Sequence, residues 1–132
     1  MVQESSAEIF LRKAEESLAG AASEFASSRF HNCANRCYYA CFLAAVYALR
    51  RAGTQPTGRS DAWSHAFVQA QCAGQLIDRL KRYPADLRDT LSRTLILRRT
   101  ADYTMDEVSR TQAARALDRA RSFVAAVRQE GR

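Results

Sequence analysis

At 132 residues the chain has room for one domain with a modest core, and five Gly with two Pro are too few turn formers for a strand-and-turn fold. Residues 1–78 balance seven Lys/Arg against seven Asp/Glu, while residues 79–132 carry thirteen against seven and so account for the whole formal net charge of +6. Nearly all these bases are arginines, the type suited to bidentate phosphate contacts. On its own a basic half is most simply a solvated surface, but it also attracts polyanions at long range.

Other classes are excluded by pattern. Met1 to Ala7 is polar and acidic rather than basic and then apolar, so no secretory signal is expected. The apolar run Cys37 to Leu49 is too short to span a bilayer and arginines bracket it, so no membrane association is expected. Three of the four cysteines, Cys33, Cys37 and Cys41, fall four apart on one predicted helix, which is no disulfide framework. A reducing cytoplasm is the expected setting.

In chain order, Glu4 to Ser27 repeats apolar residues at Leu11, Ala14, Leu18, Ala21/Ala22 and Phe25, the spacing of one helix face. Ser27-Ser28 breaks it and offers a new N-cap. Phe30 to Arg51 is apolar around most of its circumference and is expected to be the central helix, stopped by Gly53. Gly53 to Arg59 reads as a mobile loop. Ser60 or Asp61 then starts a third helix running to about Leu80. Pro84, at a first helical position with Asp86 in the first turn, starts a fourth carrying Leu87, Leu91, Leu95, Arg98 and Asp102. Thr104-x-x-Glu107 reads as a capping box opening a fifth helix, with Val108, Leu117, Val124 and Val127 among its apolar positions. The expected architecture is all-α, one domain over residues 1–132, an up-and-down bundle of four long helices plus a shorter fifth.

Two stretches place polar groups where periodicity demands apolar ones. Asn35 shares a helical stripe with Tyr39, Phe42, Val46 and Leu49. It either satisfies a neighbouring carbonyl or fixes register, as single buried amides do, or it faces a polar pocket. Arg36 lies beside that stripe, able to reach the pocket or the solvent. Tyr38 and Tyr39 cannot both face the core, so one hydroxyl needs a partner or a surface. One unpaired buried polar group costs about 2–7 kcal/mol, so such insertions are paired within the fold or held for a ligand.

Arg98 and Asp102 are one turn apart and can pair, but with the acid on the C-terminal side, the poorer orientation. Asp102 also sits at the negative end of its helix. Helix energetics alone do not account for it; Arg98, Arg36 or an arginine of another subunit must hold it. The cysteine stripe reads as a small-residue seam rather than a soft-metal site, since no second ligand cluster accompanies it; neither metal nor cofactor is expected. His31 reads as surface. His65 opens the third helix and is the one histidine placed to join a pocket between helices. The sequence has no phosphate-cradling glycine loop, dinucleotide fingerprint or nucleophile elbow.

The combination Asn-Arg-x-Tyr-Tyr-Ala-x-Phe (Asn35 to Phe42), Gly53, a helix-start His65, and Leu-Arg-x-x-Ala-Asp-Tyr (Leu97 to Tyr103) resembles the prokaryotic HEPN family, from about Phe10 to Val127. The resemblance implies a helical bundle that forms a homodimer with its polar motif in a cleft at the axis. It also implies an RNA-directed role. Many members are metal-independent ribonucleases, toxins silenced by a nucleotidyltransferase antitoxin, or antiviral defence effectors. Their signature is an arginine followed a few residues later by a histidine; Arg98 matches the arginine, and Tyr103 stands where the histidine belongs. A tyrosine ordinarily titrates near pH 10 and is a poor base at neutrality. Two readings stay open: a ribonuclease, or a non-catalytic module binding a nucleotide, RNA or a nucleotidyltransferase. On the first, Arg98 clamps phosphate, Asp102 orients it, and Tyr103 or His65 moves protons. Asn35, Arg36, Tyr39 and Arg99 contact the nucleotide or RNA. Tyr103 is the first candidate for modification by AMP.

Overall fold

Small residues let the central helix be approached from several sides. In the computed structural model, which describes residues 6–56, 63–79, 83 and 87–130, that helix is α2 (Phe30–Arg51), and twelve of its 22 residues are buried. They include Cys33, Cys37, Ala40, Cys41, Ala44 and Ala48, so neighbouring backbones can come close. Every other helix packs on it: α1 (Ser6–Ala26), α3 (His65–Gln71) with its continuation over Cys72–Arg79, α4 (Thr90–Tyr103) and α5 (Arg110–Glu130). The expected all-helical class is what forms, with five helices and, among the described residues, no strand. Burial in this seam pushes the thiols of Cys41 and Cys72 up to about 12, so they behave as small hydrophobes.

The first two helices end where the sequence says they should. α1 closes through Ser28, whose φ of 60° turns the chain into α2. At the far end of α2, Gly53 takes φ +84°, the amide of Thr54 donates to the Leu49 carbonyl at 2.9 Å and that of Gly53 to Arg50 at 3.1 Å. This is a Schellman closure, which needs a left-handed residue at Gly53.

The later boundaries differ from expectation. Ser60 and Asp61, expected to start the third helix, and Thr57 to Arg59 of the expected mobile loop lie outside the described residues. The helix begins at His65, because Ser64 is extended and its Oγ accepts from the Phe67 amide at 3.1 Å. From Cys72 to Arg79 the helix widens to π geometry, burying Cys72, Leu76 and Ile77. Pro84 and Asp86 also lie outside the described residues. α4 begins at Thr90, and Leu87 precedes it.

The fifth helix is not opened by Thr104 and Glu107. Thr104 Oγ1 donates back to the Thr100 carbonyl at 2.8 Å and accepts from the Asp106 amide at 3.2 Å, so Thr104 closes α4. The capping box lies five residues on: Ser109 Oγ accepts from the Gln112 amide at 3.1 Å while Gln112 Oε1 accepts from the Ser109 amide at 2.9 Å. Val108 is buried just before α5, and its amide donates to His31 Nε2 at 3.2 Å. His31, expected at the surface, is therefore half-buried and tied to this turn. Replacing Ser109 by Ala should cost about 1 kcal/mol in urea unfolding, the usual value of such a cap, and Glu107→Ala less than about 0.5.

Candidate functional site

α2 and α4 run close enough for Asn35, Tyr38 and Tyr39 to face Arg98 and Asp102. Asn35 Nδ2 donates to Asp102 Oδ2 at 2.8 Å. Arg98 Nε lies 3.4 Å from the same oxygen, an ion pair between side chains 14% and 28% exposed. The two contacts compete for Oδ2, and Nε, although buried, has no hydrogen-bond partner. The pairing with Arg98 is thus one of charge, and the hydrogen bond on Asp102 comes from Asn35. Asp102 is held across the helix interface, which resolves why a carboxylate tolerates the C-terminal turn of α4.

Aromatic faces surround the rest of the guanidinium. Arg98 Cζ lies 5.5 Å from the ring centre of Tyr38, 5.2 Å from Tyr39 and 5.8 Å from Tyr103. Each face attracts the cation, by about 0.5–2 kcal/mol depending on desolvation. Tyr103 itself is 72% exposed, and its hydroxyl stands 3.5 Å from an Arg98 terminal nitrogen. The cage is closed on the α2 side and open toward Tyr103.

α3 completes the cluster. The hydroxyl of buried Tyr38 is hydrogen-bonded to His65 Nδ1, and the His65 ring packs 4.9 Å from Phe42 and 5.3 Å from Tyr38 between centres. Burial pushes the Tyr38 hydroxyl up to about 12 against the opposing pull of Arg98, so it stays protonated at neutral pH. His65 moves the other way: partial burial first, then the charges of Arg98 and Arg99, hold it below the usual histidine value of 6.5. It is neutral at pH 7, and with Nδ1 engaged its Nε2 is the ring nitrogen left to a ligand.

Of the residues picked out in the sequence, Asn35, Tyr39, His65, Arg98, Asp102 and Tyr103 come together. Arg99 is exposed beside them, near enough to act on His65. Arg36 is not brought in. It is exposed on the α1 side of α2, where a Cβ on Gly20 would meet its Nη1 at 3.4 Å and its carbonyl accepts from Ser17 Oγ at 2.9 Å. Tyr38 joins both Arg98 and His65; the adjacent tyrosines were the signal, since both Tyr38 and Tyr39 follow Asn35 by one turn. Among the described residues no group of three metal-ligating side chains occurs, and no helix is long and apolar enough to cross a membrane.

The shared oxygen makes a thermodynamic prediction. In urea unfolding, Asn35→Ala and Asp102→Asn should be non-additive, with a coupling of about 0.5–3 kcal/mol. Arg36→Ala should add to either within about 0.5 kcal/mol; additive Asn35 and Asp102 effects would remove the interhelical bond from the account.

No curated protein matches the chain. The family model of the HEPN domain matches residues 7–130, a span holding all five helices but the first residue of α1 and containing every residue of the cluster. The chain belongs to the HEPN domain family.

Proposed function

We propose that the chain is a metal-independent ribonuclease, a toxin or antiviral defence effector, working as a homodimer with a composite site at its axis. The observation that supports this most is the state of Arg98: a guanidinium largely withdrawn from water, its Nε unbonded, next to a neutral histidine. A phosphodiester offers such a group the acceptors that Asp102, shared with Asn35, does not.

The chemistry follows from the side chains. His65 Nε2 takes the proton of a ribose 2′-hydroxyl while Nδ1–H donates to the Tyr38 oxygen. The 2′-oxygen attacks phosphorus, and the bond to the 5′-oxygen breaks. Tyr103 gives that leaving oxygen its proton, so the products are a 2′,3′-cyclic phosphate and a 5′-hydroxyl. Arg98 holds the phosphate and stabilises the charge developing on it, with Asp102 orienting the guanidinium. In this reading α3 supplies in space the histidine that Tyr103 replaces in the α4 motif. Met105, 100% exposed, is an apolar side chain that a second copy bringing its own Arg98 would cover. An exposed hydroxyl at Tyr103 is also open to AMP from a nucleotidyltransferase antitoxin.

The replacement of the motif histidine by Tyr103 favours a second reading, a non-catalytic module that holds a nucleotide, RNA or a nucleotidyltransferase partner. Cleavage of single-stranded RNA by the purified chain in chelator separates the two. Cleavage should fall at least about 100-fold in Arg98→Ala. Because burial and the two arginines lower the His65 value, the base-competent neutral form predominates at pH 7. The rate should therefore climb through a midpoint below 6.5 and be flat above it, and His65→Ala should remove the climb. Intact RNA that still binds in an Arg98-dependent way would decide for the module.

A further inference from the structure

On the side of α4 turned away from Asp102, α4 and α5 enclose a groove lined by arginines. Arg93 of α4 with Arg115 and Arg119 of α5 line a cleft of about 250 Å³, and no carboxylate faces it. Arg93 and Arg119 continue into an adjoining cleft of about 530 Å³, where Asp89 and Asp118 stand. Asp118 also lies 3.9 Å from Arg121.

Fold stability does not account for this arrangement. None of the three arginines makes an ion pair among the described residues. Arg115 and Arg119 are one turn apart on α5, where like charges repel, and Arg93 adds a third from the facing helix. Arg93 and Arg115 are exposed and Arg119 is half-buried, and all three line the one groove.

The groove also leads somewhere. Arg93, Ile96 and Arg99 are three apart and form one ridge of α4. Ile96 lines the cleft and is 63% exposed, and Arg99 lies near enough to His65 to act on its proton affinity. Cation, apolar side chain and cation thus run from the groove toward the Arg98 cluster.

We propose that the groove is a track for the backbone of single-stranded RNA, a binding site apart from the Arg98 cluster that holds the strand as it approaches. The inference rests on the RNA-directed reading of that cluster. Guanidinium forks from both helices take successive phosphates, and Ile96 and Leu97 pack against sugar or base.

The test is fluorescence anisotropy of a labelled short oligouridylate titrated across salt. Neutralising the groove (Arg93→Gln, Arg115→Gln, Arg119→Gln) should lower the slope of log affinity against log salt by about 2. It should weaken binding about 100-fold near 0.1 M monovalent salt, since each phosphate contact on a single strand contributes about 0.7 to the slope. The triple Arg→Lys variant should keep the slope and controls for folding, and Arg98→Ala should lower it by less than about 1. An unchanged slope in the Gln variant overturns the track, including the case in which the groove serves an acidic protein instead. If Arg98→Ala abolishes cleavage while the Gln variant keeps its slope, only the track fails; a folded chain that neither binds nor cleaves RNA removes both readings.

Discussion

A single charge, that of Arg98, sets the terms for the rest of the molecule. A guanidinium cannot shed its proton, so a side chain only 14% exposed has to find compensation in place. It finds little hydrogen bonding. Its Nε is unbonded, its carboxylate is shared with Asn35, and three tyrosine faces provide the rest of its surroundings. Faces attract a cation without satisfying its N–H groups. The result is a charge that is confined and still has donors to spend on a ligand with several oxygens.

That confinement depends on close approach between α2 and α4. On α2, Cys41 meets Thr94 of α4, and Tyr38 and Tyr39 reach the guanidinium. The same Tyr38 hydroxyl that cannot ionise at neutral pH anchors His65 from α3. Three helices thus meet at one arginine. A shift of any one would unseat the Asn35–Asp102 bond, the tyrosine cage or the histidine. The carboxylate that looked misplaced at the end of α4 is explained by its neighbour across the interface rather than by its own helix.

Much of this was legible in the sequence. The bounds of α2 and the turn at Gly53 followed from apolar residues around the helix and a glycine where only positive φ closes it. The bond between Asn35 and Asp102 was not legible: an arginine was expected to hold Asp102, and its hydrogen bond comes from Asn35, 67 residues away. Boundaries with several equivalent signals were read less well. Thr104-x-x-Glu107 and Ser109-x-x-Gln112 are both capping boxes on paper, and the second forms because Thr104 is occupied with the Thr100 carbonyl. His31 looked like surface because its partner, the Val108 amide, is 77 residues away. Arg36 stood beside the polar stripe in the sequence, but the roughly 100° that one residue turns along a helix carries it to the α1 side. Side-chain direction around a helix, unlike helix existence, depends on which neighbours arrive.

His65 was read correctly: it was the one histidine expected to join a pocket between helices, and α3 brings it to the cluster through the Tyr38 hydroxyl. Induced expression of the natural chain beside Arg98→Ala and Tyr103→Phe, with total RNA examined at arrest, tests the account most directly. It predicts growth arrest with fragmented RNA for the natural chain and neither effect for soluble Arg98→Ala. Arrest with intact RNA, or arrest that Arg98→Ala leaves unchanged, would contradict it.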